Sequence, residues 1–174
     1  MTRKILLASA ALAALAAVAF AADEVIVAKA KLAFTPPSAD WSASENLMDP
    51  VAATLVNKKL NGRITITYTD YDIYGFKVDY GFLKDQLEKN EKNNFKLTKP
   101  NYQRISLDDK KFAVGRAARL EFSAFDELGY HHTVVYALAN ATVVYFFSAE
   151  SLEREWPQVS SDFENLMNSV RFTP

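Results

Sequence analysis

The chain has 174 residues, with 20 basic and 21 acidic side chains, no cysteine, 49% hydrophobic residues and 13% aromatic ones. A near-neutral to acidic balance argues against a general nucleic-acid role, which needs a basic face to displace phosphate counterions. The missing cysteines exclude disulfides, thiol catalysis and thiolate metal sites, while the apolar content is that of a chain able to build a core.

Arg3 and Lys4 make a short positive start, Ile5 to Phe20 carries no charge, and Ala19-Phe20-Ala21 places small residues where a signal peptidase needs them. The 16-residue apolar run is short of the roughly 20 that span a bilayer as a helix. Residues 1–21 therefore read as a cleavable secretory signal, the alternative being an uncleaved anchor. Residues 22–174 hold no second such run and suit a single domain, without a stable transmembrane span after cleavage. The expected location is periplasmic or secreted.

Residues 35–50 read as an irregular opening segment, since Pro36-Pro37 precludes helix. Val51 to Val56 is apolar enough for a strand, and Asn57 to Asn61 reads as a turn. From Arg63 to Tyr68, Ile64, Ile66 and Tyr68 alternate with Arg63, Thr65 and Thr67, the signature of a half-buried strand. Lys77 to Asn93 switches to a helical period, with Val78, Phe82, Leu83 and Leu87 on one face, and Asn93-Asn94 is expected to end it. A short strand is expected over Phe95 to Leu97, and a solvated turn over Asp108-Asp109-Lys110-Lys111.

Three strands follow, Arg116–Phe125, His132–Leu138 and Thr142–Phe147. Asp126 to Gly129 forms one hairpin turn and Ala139-Asn140-Ala141 the next, where Asn can take positive φ. This meander has apolar residues on both faces, so one face is expected on helices and the other on more sheet or on its own aromatics. Leu152, Trp156, Val159, Phe163, Leu166 and Val170 recur at helical spacing. Pro157 either opens the main helix after a separate first turn or kinks a continuous one, and proline's fit to a first turn favours the former. The order of elements indicates an α+β domain, an antiparallel β-sheet flanked by helices.

Several segments together resemble the PsbP/Mog1-like α/β/α sandwich family, including bacterial exported members of the DUF1795 and DcrB kind. Phe34-Thr35-Pro36-Pro37-Ser38-Ala39-Asp40-Trp41 is similar to that family's apolar-Pro-Pro…Trp opening. Arg119-Leu120-Glu121-Phe122 leads into a hairpin, Val143 to Ser148 leads into a last helix, and Ser169-Val170-Arg171-Phe172 is similar to the closing motif. The resemblance implies a non-enzymatic binding or assembly role. It specifies positions of the fold and no catalytic signature.

The five glycines, at 62, 75, 81, 115 and 129, never fall closer than six apart, so the dinucleotide, P-loop and nucleophile-elbow spacings are absent. His131 and His132 are strand neighbours that face opposite ways and are expected at the surface, with His132 beside Asp126 or Glu127 the one weak metal option. Asp70-Tyr71-Asp72 begins like a calcium loop, but Tyr74 and Gly81 stand where oxygen ligands are required. No metal, cofactor or catalytic set is therefore assigned. Tyr71, Tyr74 and Phe76, around Gly75, are the expected interface residues, because that loop should lie at the surface.

The leading expectation is an exported binding or accessory protein acting through a protein interface, its partner an envelope protein of unknown identity. The alternative is a carrier or chaperone for an apolar ligand, lipid or hydrophobic helix. An enzyme using dispersed carboxylates, Asp108 with Asp109 or Glu121, is the remaining alternative.

Overall fold

The computed structural model describes residues 23–45, 48–72 and 78–174. The segment expected to be a secretory signal, residues 1–21, lies outside them. Strands β1 (Val25–Val27), β2 (Leu32–Phe34), β3 (Ser42–Glu45), β4 (Val51–Asn57) and β5 (Gly62–Asp70) precede helix α1 (Tyr80–Asn90). A π-helical turn, Glu91–Phe95, continues α1 into the short α2 (Lys96–Thr98). Strands β6 (Gln103–Phe112), β7 (Gly115–Asp126), β8 (Gly129–Asn140) and β9 (Val143–Leu152) lead to helix α3 (Trp156–Ser169) and β10 (Arg171–Phe172).

The main sheet has seven strands in the order β3-β4-β5-β9-β8-β7-β6, and every neighbouring pair is antiparallel. A second sheet, β1-β2-β10, joins the two ends of the domain. The alternation of β8 explains the two-faced apolar pattern. Val134, Tyr136 and Leu138 pack with Ile64, Ile66, Phe147, Phe163 and Leu166 on the α3 side. Val135 and Ala137 pack with Leu120, Phe122, Leu83 and Leu87 on the α1 side. Both faces are thus covered by helix, with β2 contributing Leu32 and Phe34 to the α3 side. The buried Tyr145 hydroxyl donates to the carbonyl of Ala30 at 2.7 Å and ties this layer to the sheet, and burial pushes its pKa up to about 12.

The expected strands over Val51–Val56, Arg63–Tyr68 and the three-strand meander are all present. Pro157 lies in the first turn of α3, and Leu152 ends β9 rather than joining the helix. The opening segment 35–50 is not wholly irregular, because Ser42–Glu45 pairs with β4 as an exposed edge strand. Trp41, just before it, is buried and donates through Nε1 to Asp162 of α3 at 2.7 Å.

Four local expectations are corrected. Helix α1 begins at Tyr80, capped by the Asp79 carboxylate accepting from the Phe82 N–H at 2.9 Å, and it does not stop at Asn93-Asn94. Phe95–Leu97 is helical, not a strand: the Phe95 ring lies 5.0 Å from that of Phe122, and the buried Glu91 carboxylate takes Arg104 and Tyr102 of the next segment. Asp108 to Lys111 lies within the edge strand β6, where like-signed sequence neighbours separate to opposite faces. Asp109 meets Arg116 at 2.9 Å and Lys110 meets Glu164, so a run that suggests a turn is instead a row of cross-element pairs. The positive φ of the β8–β9 turn falls on Ala141, not Asn140.

Candidate interaction site at the hairpin end

The β7–β8 turn is the tight one expected. Asp126 pairs with Gly129 across a two-residue loop, Glu127-Leu128. The Asp126 carboxylate accepts the Leu128 N–H at 2.8 Å, Gly129 adopts φ 122, and His131 Nε2 meets Asp126 Oδ1 at 2.9 Å. The backbone bond from Leu128, followed by His131, holds the Asp126 carboxyl below its usual range. This rigid turn presents apolar surface: Leu128 is 77% exposed, Tyr130 63% and Phe125 43%. The rings of Phe125 and Tyr130, either side of the turn, are 4.7 Å apart.

Leu128 borders several depressions, and two of them bear on binding. One, of about 830 Å³, is shallow and lined by Pro100, Asn101, Phe125, Asp126, Glu127 and Leu128. Its far wall is fixed to the hairpin, since the Phe125 N–H donates to the Pro100 carbonyl at 3.0 Å and Asn101 Nδ2 donates to the Phe125 carbonyl at 3.2 Å. The other, of about 470 Å³, lies between the hairpin and the ends of β5 and β9, and Arg63, His131, Glu150, Leu152 and Arg154 line it with Leu128.

The two histidines do face opposite ways, but His132 is not a surface residue. It is buried, stacked on Trp156 with ring centroids 4.4 Å apart and planes 8° from parallel. Its Nε2 meets Glu121 at 2.7 Å and its Nδ1 meets Glu153 at 2.9 Å, so neither Asp126 nor Glu127 is its partner. Sequence reasoning missed this because the partners come from β7 and from the corner after β9. Burial works against ionisation of Glu121, yet bonds from His132 and Arg119 hold its carboxyl below the usual value. Among the described residues no group of three or more His, Asp or Glu is arranged to hold a metal ion.

Of the expected interface residues, Tyr71 is half-buried. Its ring meets Phe82 edge-on at 5.1 Å, and its N–H donates to the Thr142 carbonyl at 3.0 Å. Thr142 belongs to the β8–β9 turn, which puts Tyr71 at the opposite end of β8 from Leu128. Twelve residues at about 3.4 Å each separate those ends by about 40 Å. Tyr74 and Phe76 lie outside the described residues. Asp108 pairs with Arg119, Asp109 with Arg116, and Glu121 with Arg119 and His132, so these three carboxylates do not converge on one point. Phe125, Leu128 and Tyr130 were overlooked in the sequence, although a leucine in a two-residue hairpin loop, where Gly, Asn and Asp prevail, is an available signal.

No family model and no curated protein matches the chain in sequence. Solved structures do match in shape. The solution structure of cyanobacterial PsbP (CyanoP) from Synechocystis superposes with a TM-score of 0.62, covering 95% of this chain and 98% of that one at 12% identity. The Ran-binding protein Mog1p of Saccharomyces cerevisiae gives a TM-score of 0.58, covering 86% and 94% at 10% identity. A second structure of Mog1, a mutant, gives 0.54, covering 87% and 95% at 12% identity. At these identities the likeness is one of fold, the α+β PsbP/Mog1-like sandwich.

Proposed function

We propose, from the PsbP/Mog1-like α/β/α sandwich that this chain adopts, that it is a non-enzymatic binding or accessory protein working outside the cytoplasm. It is exported to the periplasm or secreted, and it acts through a protein interface at the β7–β8 hairpin. The observation that carries the reading is the exposed cluster Phe125, Leu128 and Tyr130 on a turn that hydrogen bonds hold rigid. A large apolar side chain at the tip of a fixed turn gains little for folding and much for association. Export rests on the leader, Arg3 and Lys4 followed by the apolar run to Ala19-Phe20-Ala21. Among the described residues no helix is long and apolar enough to cross a membrane.

The fold neighbours support a binding role by analogy, one of them being named for binding Ran. The pairing of Asp108, Asp109 and Glu121 with arginines favours binding over acid–base chemistry, which needs a carboxylate free to exchange protons. A carrier for an apolar ligand needs an open groove between sheet and helix. Val134, Tyr136 and Leu138 on one side and Val135 and Ala137 on the other are instead enclosed in packed clusters.

The test is a photo-crosslinker placed at Leu128 in the full-length chain expressed in its own cell. The expected result is a crosslink to one envelope protein, absent when the crosslinker sits at Ser44 on the exposed edge strand β3. Crosslinking that is equal at the two positions, or absent from both, overturns the reading.

A further inference from the structure

Arg63 and Glu150 stand directly opposite each other on neighbouring strands, β5 and β9. Such a cross-strand pair ordinarily forms an ion pair. Here it does not. Glu150 instead binds Lys99, which reaches across from the end of α2. Arg63 is exposed, lines the cleft of about 470 Å³ beside the hairpin, and among the described residues makes no ion pair. The other charges around the cleft are largely satisfied: His131 is bonded to Asp126, and Arg154 to its neighbour Glu155 at 2.5 Å. The cleft thus combines an uncompensated guanidinium with two leucine walls, Leu128 and Leu152, and a carboxylate already neutralised by a lysine.

We infer that this cleft takes a side-chain carboxylate of a protein partner, seated on Arg63, with an adjacent apolar residue of the same segment against Leu128. A guanidinium offers a planar fork of donors that matches a carboxylate, and apolar walls strengthen that bond by excluding water. Lys99 is the residue that keeps the fork open, because it removes the one carboxylate that the strand register delivers to Arg63. The inference rests on the hairpin being a protein interface and names the chemistry that interface reads.

The experiment titrates the leaderless protein, residues 22–174, with an octapeptide of alternating Glu and Leu, acetylated and amidated so that only side-chain carboxylates are present. The comparison peptides are the Gln–Leu analogue and a Gln–Leu peptide with a free C-terminal carboxylate. NMR shifts are followed at the Arg63 Nε–H and the Leu128 methyls. The acidic peptide is expected to move both signals, and Arg63→Gln to weaken it about tenfold, the loss of one charge-assisted hydrogen bond. The double variant Lys99→Ala with Glu150→Gln leaves the fork open and is expected to keep binding. The single variant Lys99→Ala frees Glu150 for Arg63 and is expected to lose it. Unchanged thermal melting of each variant separates these effects from misfolding.

Equal binding of the Gln–Leu analogue, preference for the free C-terminus, binding without movement at Arg63, or no binding at millimolar peptide each overturns the inference. Failure here is distinct from failure of the interface. A partner captured from Leu128 as strongly in Arg63→Gln as in the parent removes the carboxylate and leaves the hairpin, whereas absence of any capture removes the hairpin itself.

Discussion

His132 lies flat on Trp156, the ring centroids 4.4 Å apart, while its two nitrogens meet Glu121 and Glu153. One imidazole therefore joins three elements: β7 through Glu121, the corner after β9 through Glu153, and α3 through its first residue. Replacing it by Ala removes the stack and both bonds and leaves the mostly buried Glu121 with Arg119 as its remaining charged partner. The expected cost of His132→Ala is about 2–3 kcal/mol, from lost charge-assisted bonds and a small cavity. Urea unfolding of the leaderless chain checks it. A shift corresponding to less than about 0.5 kcal/mol, the size of an ordinary surface substitution, rejects the linking role.

Glu91 predicts how the fold responds to acid. It is buried at the π turn, where Arg104 above all, and also Tyr102 and Lys96, hold its carboxyl down to about 2 from the usual 4.5 despite its burial. A depressed carboxyl favours the native state in its ionised form. That contribution is complete above pH 4.5 and drains away as pH falls toward 2. Its full size is on the order of 3 kcal/mol. Glu91→Gln is expected to be less stable at pH 7 and to show a flatter loss of stability between pH 4.5 and 2. Parallel acid profiles for parent and variant contradict this assignment.

Gly62 tests the close approach of the opening segment. A Cβ there would meet Trp41 Cη2 at 2.9 Å and Val159 Cγ2 at 3.0 Å, and both of those side chains are buried. Gly62→Ala must push the Trp41 ring, and with it the Nε1 bond to Asp162, away from β5. Overpacking of this kind costs about 1–3 kcal/mol. Tryptophan fluorescence should shift as well, since Trp41 would gain solvent. A variant as stable as the parent with an unchanged spectrum shows that the contact yields freely.

The contrast between β5 and β6 explains what the sequence disclosed. In β5, Ile64 and Ile66 alternate with polar residues, because one face meets the core, and period alone identifies the strand. In β6, an edge strand, mixed charges are held by Arg116, Arg119 and Glu164 from elsewhere, so local chemistry suggested a turn. The same holds for helix ends. Asn93-Asn94 is a reasonable stop on propensity, but the Glu91 anchor and the Phe95 contact with Phe122 override it. The family resemblance supplied the α/β/α layering because its motifs sit at fold-defining positions such as Trp41 and Phe172. The hairpin site was hidden for the opposite reason: Phe125 reads as strand and Leu128 as part of a polar turn, and only the third dimension shows the hairpin end, with Tyr130, standing exposed.

That exposed end gives the last prediction. Leu128 sits at the tip of a turn whose geometry is set by Asp126, His131 and Gly129, so its side chain contributes little to folding. Leu128→Gln keeps length and removes the apolar surface. Unfolding stability is expected to stay within about 0.5 kcal/mol of the parent, as for surface substitutions. Partner capture from a crosslinker at Tyr130 is expected to fall several-fold, since the centre of an interface carries most of its energy. The two measurements must diverge. A loss of stability that tracks the loss of capture makes Leu128 a packing residue, and undiminished capture moves the interface elsewhere on the molecule.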